Sequence, residues 1–495
     1  MNPPPPPAPL DPGTPEDALA LRVLALAEYL LPGAPVPASL LLAALAAAPE
    51  ALEAALGRLY ALGQASPAEG GAVALAPQAL AAPGDEERAQ AEGALAEALG
   101  RCISEALPRE EQGDLAALLP HAAALAERMA QRGDARASGL LRALGMAAEA
   151  QGDLAAALEH HTRALAIDEA AHGPAHPQVI TSLLGVGRVL MWRGDLAAAQ
   201  ARFAQAVQIA EAAPSPAHAD ISVALNNLAR LAELRGDLAA ARRYGERALQ
   251  IDEAHYGPDH PEVAVDLHNL GGLAIQRGDM SAALALFARA AEIARAAYGP
   301  NHPLLAERLG MLGRVLLRTG DHRRAAALFD EVLEIDTAHY GPGHPKLADD
   351  MDDLGEAAEA AGDMGIARGY YERALQLDEA HYGPDHPALA PRLTSLGLAR
   401  HALGESAAAR ALFARALKID EAAHGPEHPQ VAVDLANLGL AARALGDVDA
   451  ARGYYTRAVA MFERFLPPDH PHLRTVRRGL AALDQRPWWR RLLGR

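Results

Sequence analysis

Small and apolar residues fall in fixed columns along most of this chain. One column is invariantly alanine: Ala157, Ala199, Ala241, Ala283, Ala325, Ala367, Ala409 and Ala451. Seven residues on, a second reads Ala164, Ala206, Ala248, Ala290, Val332, Ala374, Ala416 and Ala458. Upstream of both, Gly or Ala recurs at 145, 187, 229, 271, 313, 355, 397 and 439, and an often aromatic column holds Phe203, Phe287, Phe329, Tyr371, Phe413 and Tyr455. Each column repeats every 42 residues without insertion or deletion. Apolar positions spaced by three, four and seven predict helices with one buried stripe. The small columns predict that the two helices of a unit approach closely, with the ring filling the gap to the next helix.

Punctuation between the columns has the same period. Gly-Pro-x-His-Pro begins at Gly173, Gly257, Gly299, Gly341, Gly383 and Gly425, with degenerate copies at Ser215 and Pro467. The Pro of His-Pro marks the start of a first helix, since Pro fits the first turn. That helix ends at Gly-Asp (Gly152, Gly194, Gly236, Gly278, Gly320, Gly362 and Gly446, with Gly404-Glu405 as the variant). The glycine permits a left-handed residue, and the acid caps a second helix of about 17 residues. Units that bury their apolar faces only against neighbours form a repeat solenoid, an architecture that offers a binding surface and no reaction centre.

The array occupies residues 135–471, as about eight units, followed by a capping helix at 472–484. Residues 1–15 are Pro-rich and read as a disordered leader. Residues 16–80 hold three apolar-periodic segments, a Gly-rich stretch and the run Val73-Ala74-Leu75, the order of a winged-helix-like module. Residues 86–132 read as two or three helices of a connector, with Pro108 and Pro120 as breakers.

Composition narrows function further. The net charge of −18 disfavours nucleic acid as a partner of the body. The segment Glu50–Leu62, which would be the recognition helix of a DNA-reading module, carries Arg58 as its only base. Cys102 is the only cysteine, so the fold needs no disulfide. No basic secretory n-region precedes the apolar run 18–31, which is too short to span a bilayer, and a cytoplasmic protein is expected. The basic tail 485–495, with Trp488, Trp489, Arg490 and Arg491, covers the last repeat's open edge or touches a membrane or partner; membrane contact is expected nowhere else.

The pattern of small residues and rings is similar to the tetratricopeptide repeat. The 42-residue period, the Gly-Pro-x-His-Pro linker and Asn226-Asn227-Leu228-Ala229 resemble the kinesin light chain subclass. The resemblance implies an all-α, right-handed superhelical solenoid of helix-turn-helix units used as a protein-interaction scaffold. The front, through Leu118-Leu119-Pro120-His121-Ala122, resembles the segment preceding such arrays in bacterial STAND (NB-ARC) ATPases. The chain has no Gly-x-x-x-x-Gly-Lys-Ser/Thr, so the phosphate cradle of that family is missing and its ATPase activity does not carry over. A regulatory half of a split STAND system remains the alternative reading.

The resemblance places ligand contacts on three columns of the first helix. They contain Asn226, His268 and Asp352; Asn227, Asn269, Asp353 and Asn437; and Arg188, Arg230, Arg314 and Glu356. Asn offers both a donor and an acceptor and so can hold an extended backbone; the plainer alternative is bonding within the repeat. Asp349, Asp352, Asp353, Glu356 and Glu359 share one helical face. Their mutual repulsion calls for a basic ligand segment or a neighbouring Arg, or leaves a solvated acidic face. The linker histidines cannot converge on a metal, because packed repeats are at least ~8–10 Å apart. They are expected to bond linker backbone. No catalytic, cofactor or metal site is expected, since nucleophile elbow, phosphate loop and metal constellation are all lacking.

Overall fold

Each Gly-Asp step ends one helix and opens the next. Gly152, Gly194, Gly236, Gly278, Gly320, Gly362, Gly404 and Gly446 have φ between 75° and 89°, where a Cβ is disfavoured. The carboxylates of Asp153, Asp237, Asp279, Asp321 and Asp447 then accept backbone N–H bonds from the following first turn. Capping is incomplete along the array. Asp195, Asp363 and Glu405 make no such bond; Glu405 is drawn into ion pairs with Arg368 and Arg400.

The linker histidines act at the other helix start. Nδ1 of His176, His260, His302, His344, His386, His428 and His470 accepts the backbone N–H two residues on, at 3.2–3.3 Å. The rings of Tyr256, Tyr298, Tyr340 and Tyr382 stack on the imidazoles four residues later, with centroids 4.5–4.7 Å apart.

The computed structural model describes residues 10–11, 13–27, 29–30, 34–62, 64–68, 72–75, 85–107, 112–213 and 218–484. The leader as far as residue 9, the Gly-rich stretch 69–71, Pro108, the degenerate linker 215–217 and the basic tail 485–495 lie outside the described residues. Among those described are 22 helices and one two-stranded hairpin, in two compact units, Met1–His255 and Tyr256–Arg495.

The first unit begins with α1 (Pro15–Ala27), α2 (Ala38–Leu45) and α3 (Pro49–Ala61). The hairpin follows, β1 (Ala65–Pro67) against β2 (Val73–Leu75), with Ala65 opposite Leu75. Val36, between α1 and α2, bridges to Val73. The connector is α4 (Asp85–Ala106) and α5 (Gln112–Gln131). Pro120 sits inside α5 and does not break it, contrary to its reading as a breaker. Leu115, Leu118, Ala122, Leu125, Ala126 and Met129 are buried around it, and that packing outweighs the missing N–H bond. Helix pairs α6 (Ala137–Ala150) with α7 (Leu154–His172), α8 (Ile180–Trp192) with α9 (Leu196–Ala212), and α10 (His218–Leu234) with α11 (Leu238–Tyr256) complete the unit.

The second unit is itself a tandem array of helix pairs. It pairs α12 (Pro261–Gln276) with α13 (Met280–Tyr298), α14 (Pro303–Thr319) with α15 (His322–Tyr340), and α16 (Lys346–Ala361) with α17 (Met364–Tyr382). It then pairs α18 (Leu389–Ala402) with α19 (Ser406–His424) and α20 (Pro429–Ala444) with α21 (Val448–Phe465), and ends at α22 (Pro471–Asp484), which packs on α20 and α21. Second helices run 17 to 19 residues. The alanine columns are fully buried, as are Phe203, Phe287, Phe329 and Phe413. Each ring, however, lies on the glycine of its own first helix. A Cβ at Gly187, Gly271, Gly313, Gly355, Gly397 or Gly439 would stand 2.4–2.7 Å from that ring. The ring also reaches the next helix, as expected: Phe287 packs with Val315, Phe329 with Leu354 and Ala357, and Phe413 with Leu438 and Ala441. Tyr455 also reaches Gly479 of α22.

Candidate functional site

The three columns expected to meet a ligand lie on the first helices, and many of their side chains already hold partners. In the first unit, Arg188 on α8 forks onto Glu149 of α6 through Nε and Nη2, both at 3.0 Å, and its guanidinium lies 5.8 Å from the Trp192 ring. Glu149 also receives Nε2 of the buried His161 at 2.9 Å. Burial works to raise the Glu149 carboxyl, but the bonds from His161 and Arg188 outweigh it and hold the group below its ordinary value. Asn227 donates Nδ2 to the Val223 carbonyl one turn back, at 2.9 Å. Asn226 is half-buried beside it. Arg230 is exposed and touches Glu233 at 3.3 Å.

In the second unit, His268 packs edge-on against Phe287 and faces Arg308 Nη1 through Nδ1 at 2.7 Å. Burial, followed by the Arg308 charge, lowers its pKa, so the ring accepts from the guanidinium as neutral imidazole. Asn269 is exposed, and Asn437 is half-buried. With Leu398, Leu440, Thr475 and Arg478, Asn437 lines a cavity of about 700 Å³ between α18, α20 and α22.

The acidic face of α16 is neutralised from within the chain. Arg314 of α14 forks onto Asp353 at 3.0–3.2 Å, and that hydrogen bond raises its pKa. Arg392 of α18 binds Asp349, Asp352 and, at 3.0 Å, Asp378 of α17. Glu359 accepts the Tyr371 hydroxyl at 3.1 Å. Burial pushes Asp352 up to about 6 against the pull of Arg392. Burial, with Asp353 beside it, also raises Glu356. A neighbouring Arg therefore supplies the compensation that the sequence left open, and the cluster staples three successive first helices.

The tetratricopeptide repeat profile matches residues 136–212, 180–254, 220–296, 262–338, 350–422 and 393–464, together more than half of the chain. The chain belongs to the tetratricopeptide repeat family. The solved structures similar to this tetratricopeptide chain include BtubC (BKLC) from P. vanneervenii, at 22% identity and TM-score 0.44, covering 46% of this chain and 92% of that one. Another is a kinesin light chain from Podosopora anserina with nearly identical TPR-like repeats, at 21% identity and TM-score 0.38, covering 42% and 99%. The STAND protein with a tetratricopeptide repeat sensor from Pyrococcus horikoshii aligns over 95% of this chain and 66% of its own length, at 14% identity and TM-score 0.60. No curated protein matches the chain.

The tetratricopeptide units also bury a polar column that the sequence reading missed. Asp168, Asp252, Asp336, Asp378 and Asp420, near the ends of second helices, are all at most 4% exposed. Asp168 meets Ser182 at 2.6 Å and Arg142 at 2.9 Å. Asp336 faces Lys346, which also binds Asp350 at 3.0 Å. Asp420 faces Asp434, which is fully buried. The clue lay in the phrase Ile/Leu-Asp-Glu/Thr-Ala, which recurs at Ile167, Ile251, Ile335, Leu377 and Ile419 at multiples of the period. A residue kept at one position of a repeat predicts one environment, here the seam between units.

Among the described residues, no group of His, Cys, Asp and Glu is arranged to hold a metal. No single described helix is long and apolar enough to cross a membrane. Arg58 of α3 is bound by Asp17 of α1 at 2.7 and 3.1 Å.

Proposed function

We propose that this chain is a non-enzymatic, cytoplasmic interaction scaffold. It holds a peptide or a partner protein along the ligand columns of its first helices. The observation that carries this reading is the division of labour within the columns. Asp352, Asp353 and Arg314 are taken up in ion pairs between first helices, whereas the exposed Asn269 and Arg230 and the half-buried Asn227 and Asn437 keep polar groups on the surface. Amides offering a donor and an acceptor suit an extended backbone whatever its sequence. The ion pair of Arg58 with Asp17 supports a protein partner over DNA, since it occupies the only base of α3.

The test is affinity capture from the native host with mass spectrometry, followed by direct binding of the captured partner. Asn227→Ala with Asn269→Ala should weaken that binding about thirtyfold, if each lost amide bond contributes about 1 kcal/mol, with the melt unchanged. Unaltered affinity refutes these positions. The alternative is the sensor half of a split STAND system whose nucleotide-binding part is carried elsewhere. It draws support from the 95% alignment with the Pyrococcus horikoshii sensor protein. Capture of a P-loop protein would favour it.

A further inference from the structure

Helix α4 is not a repeat helix, yet one of its faces joins α6 and α8 around a cavity of about 710 Å³. That volume is in the range of pockets for small organic ligands. The α4 face offers room, because a Cβ added at Gly100 would meet nothing within 4 Å. The opposite wall is apolar and partly wet. Leu140, Ala143 and Leu184 line it beside Met146 and Val223, which are 39% and 45% exposed.

Guanidinium groups interrupt this wall. Arg188 gives Nε and Nη2 to Glu149, which leaves Nη1 with no hydrogen-bond partner among the described residues. Arg142 uses Nη1 on Ser138, Asp168 and Ser182, which leaves Nε and Nη2 with none among the described residues. Arg101 and Arg136 also line the space, against the carboxylates Glu97 and Glu105. Asp168 and Glu149 stand behind the wall, 4% and 9% exposed, and fix two of the guanidiniums from the rear. Donors held in place beside apolar surface favour an acceptor that brings its own charge.

We propose that this cavity binds a small amphipathic anion: an apolar body bearing one carboxylate or comparable acid group. The apolar part covers Met146, Val223 and Leu184, and the acid takes the open donors of Arg142 and Arg188. The cavity shares Arg188 with the ligand columns, but its α4 wall belongs to none of them, so this goes beyond the partner-binding reading.

The experiment uses the full chain and the fluorescent anion 8-anilinonaphthalene-1-sulfonate as probe, with octanoate and octylammonium as competitors. Saturable binding is expected, with octanoate displacing the probe at about tenfold lower concentration than octylammonium. Gly100→Leu, which adds bulk at a lining position where a Cβ meets nothing within 4 Å, should weaken the probe by at least about tenfold while the circular-dichroism melt is retained. Arg188→Gln should weaken octanoate more than octanol. Probe binding that survives Gly100→Leu, or displacement by octylammonium equal to that by octanoate, overturns the proposal. Loss of probe binding in Gly100→Leu with Asn227→Ala/Asn269→Ala unaffected separates this site from the partner-binding columns.

Discussion

The Phe329 ring of α15 lies against the backbone of Gly313 on α14, so close that a Cβ there would stand 2.5 Å from Cε1. Phe329 is 1% exposed and has no room to retreat. Gly313→Ala should therefore lower stability by about 1–3 kcal/mol, although alanine is the better helix former by ~1 kcal/mol. Gly310, one turn earlier on the same helix, meets nothing within 4 Å and is the control. Gly310→Ala should be neutral or gain up to ~1 kcal/mol. Chemical denaturation of both variants decides, and equal responses would refute the close approach. The chain already contains a compensated version of this pair: where the first helix carries Ala229, the ring position is Gly245.

Arg392 is the single cation shared by Asp349, Asp352 and Asp378. It is 14% exposed and Asp378 only 4%, so screening by water is weak. Arg392→Gln strands two poorly solvated carboxylates and should cost about 3–5 kcal/mol at pH 7. Asp352 and Asp378 already titrate above their ordinary value because of burial. Acidification then lets them neutralise, and the deficit of the variant should shrink between pH 7 and pH 4.5. Thermal melts of the two proteins across that interval check the sign.

A second pH dependence comes from Asp434. Burial, reinforced by Asp420 across the seam and by Glu421, pushes its carboxyl up from 3.8 to about 8. Burial raises Asp420 as well, while Asp434, His424 and His428 pull it down. A folded-state pKa above the unfolded one means that the native protein binds the proton more tightly. The stability from this pair is full below about 3.8 and is lost as pH rises through about 8. The wild type should melt at higher temperature at pH 6 than at pH 9. Asp434→Asn, which keeps an amide to face Asp420 and removes one titration, should flatten that difference. A variant with the wild-type slope would contradict the assignment of that slope to Asp434.

These seams mark the limit of what the sequence makes legible. Helix boundaries were readable because they depend on local chemistry: a glycine at positive φ such as Gly320, an acid such as Asp321 after it, a His-Pro before the next turn. The alanine columns were readable because burial repeats with the period. Arg392 was not, because its partners lie 14, 40 and 43 residues away and only stacking brings them together. For the same reason the acidic face of α16 left a basic ligand segment, a neighbouring Arg and a solvated face open as readings. Pro120 misled in the opposite direction: a local helix breaker was overruled by the packing of Leu118 and Leu125. The pocket beside Gly100 was invisible, since nothing in the spacing of α4 says that it would lean on α6.

His302 tests whether the linker imidazoles hold the array together one helix at a time. Its Nδ1 accepts the Leu304 N–H at 3.2 Å, and its ring stacks on Tyr298 with centroids 4.7 Å apart. The first bond satisfies a backbone donor that α14 cannot satisfy itself. The second ties the start of α14 to the end of α13. Replacing the ring separates the two contributions. His302→Asn keeps a side-chain acceptor at the helix start and loses the stacking, whereas His302→Ala loses both. Alanine should cost about 1 kcal/mol more than asparagine in chemical denaturation. Amide exchange at Leu304 should quicken in the alanine variant and stay near the wild-type rate in the asparagine variant. If the two substitutions are equivalent in both measurements, the imidazole does not act as a cap, and ring stacking alone accounts for its place in the linker.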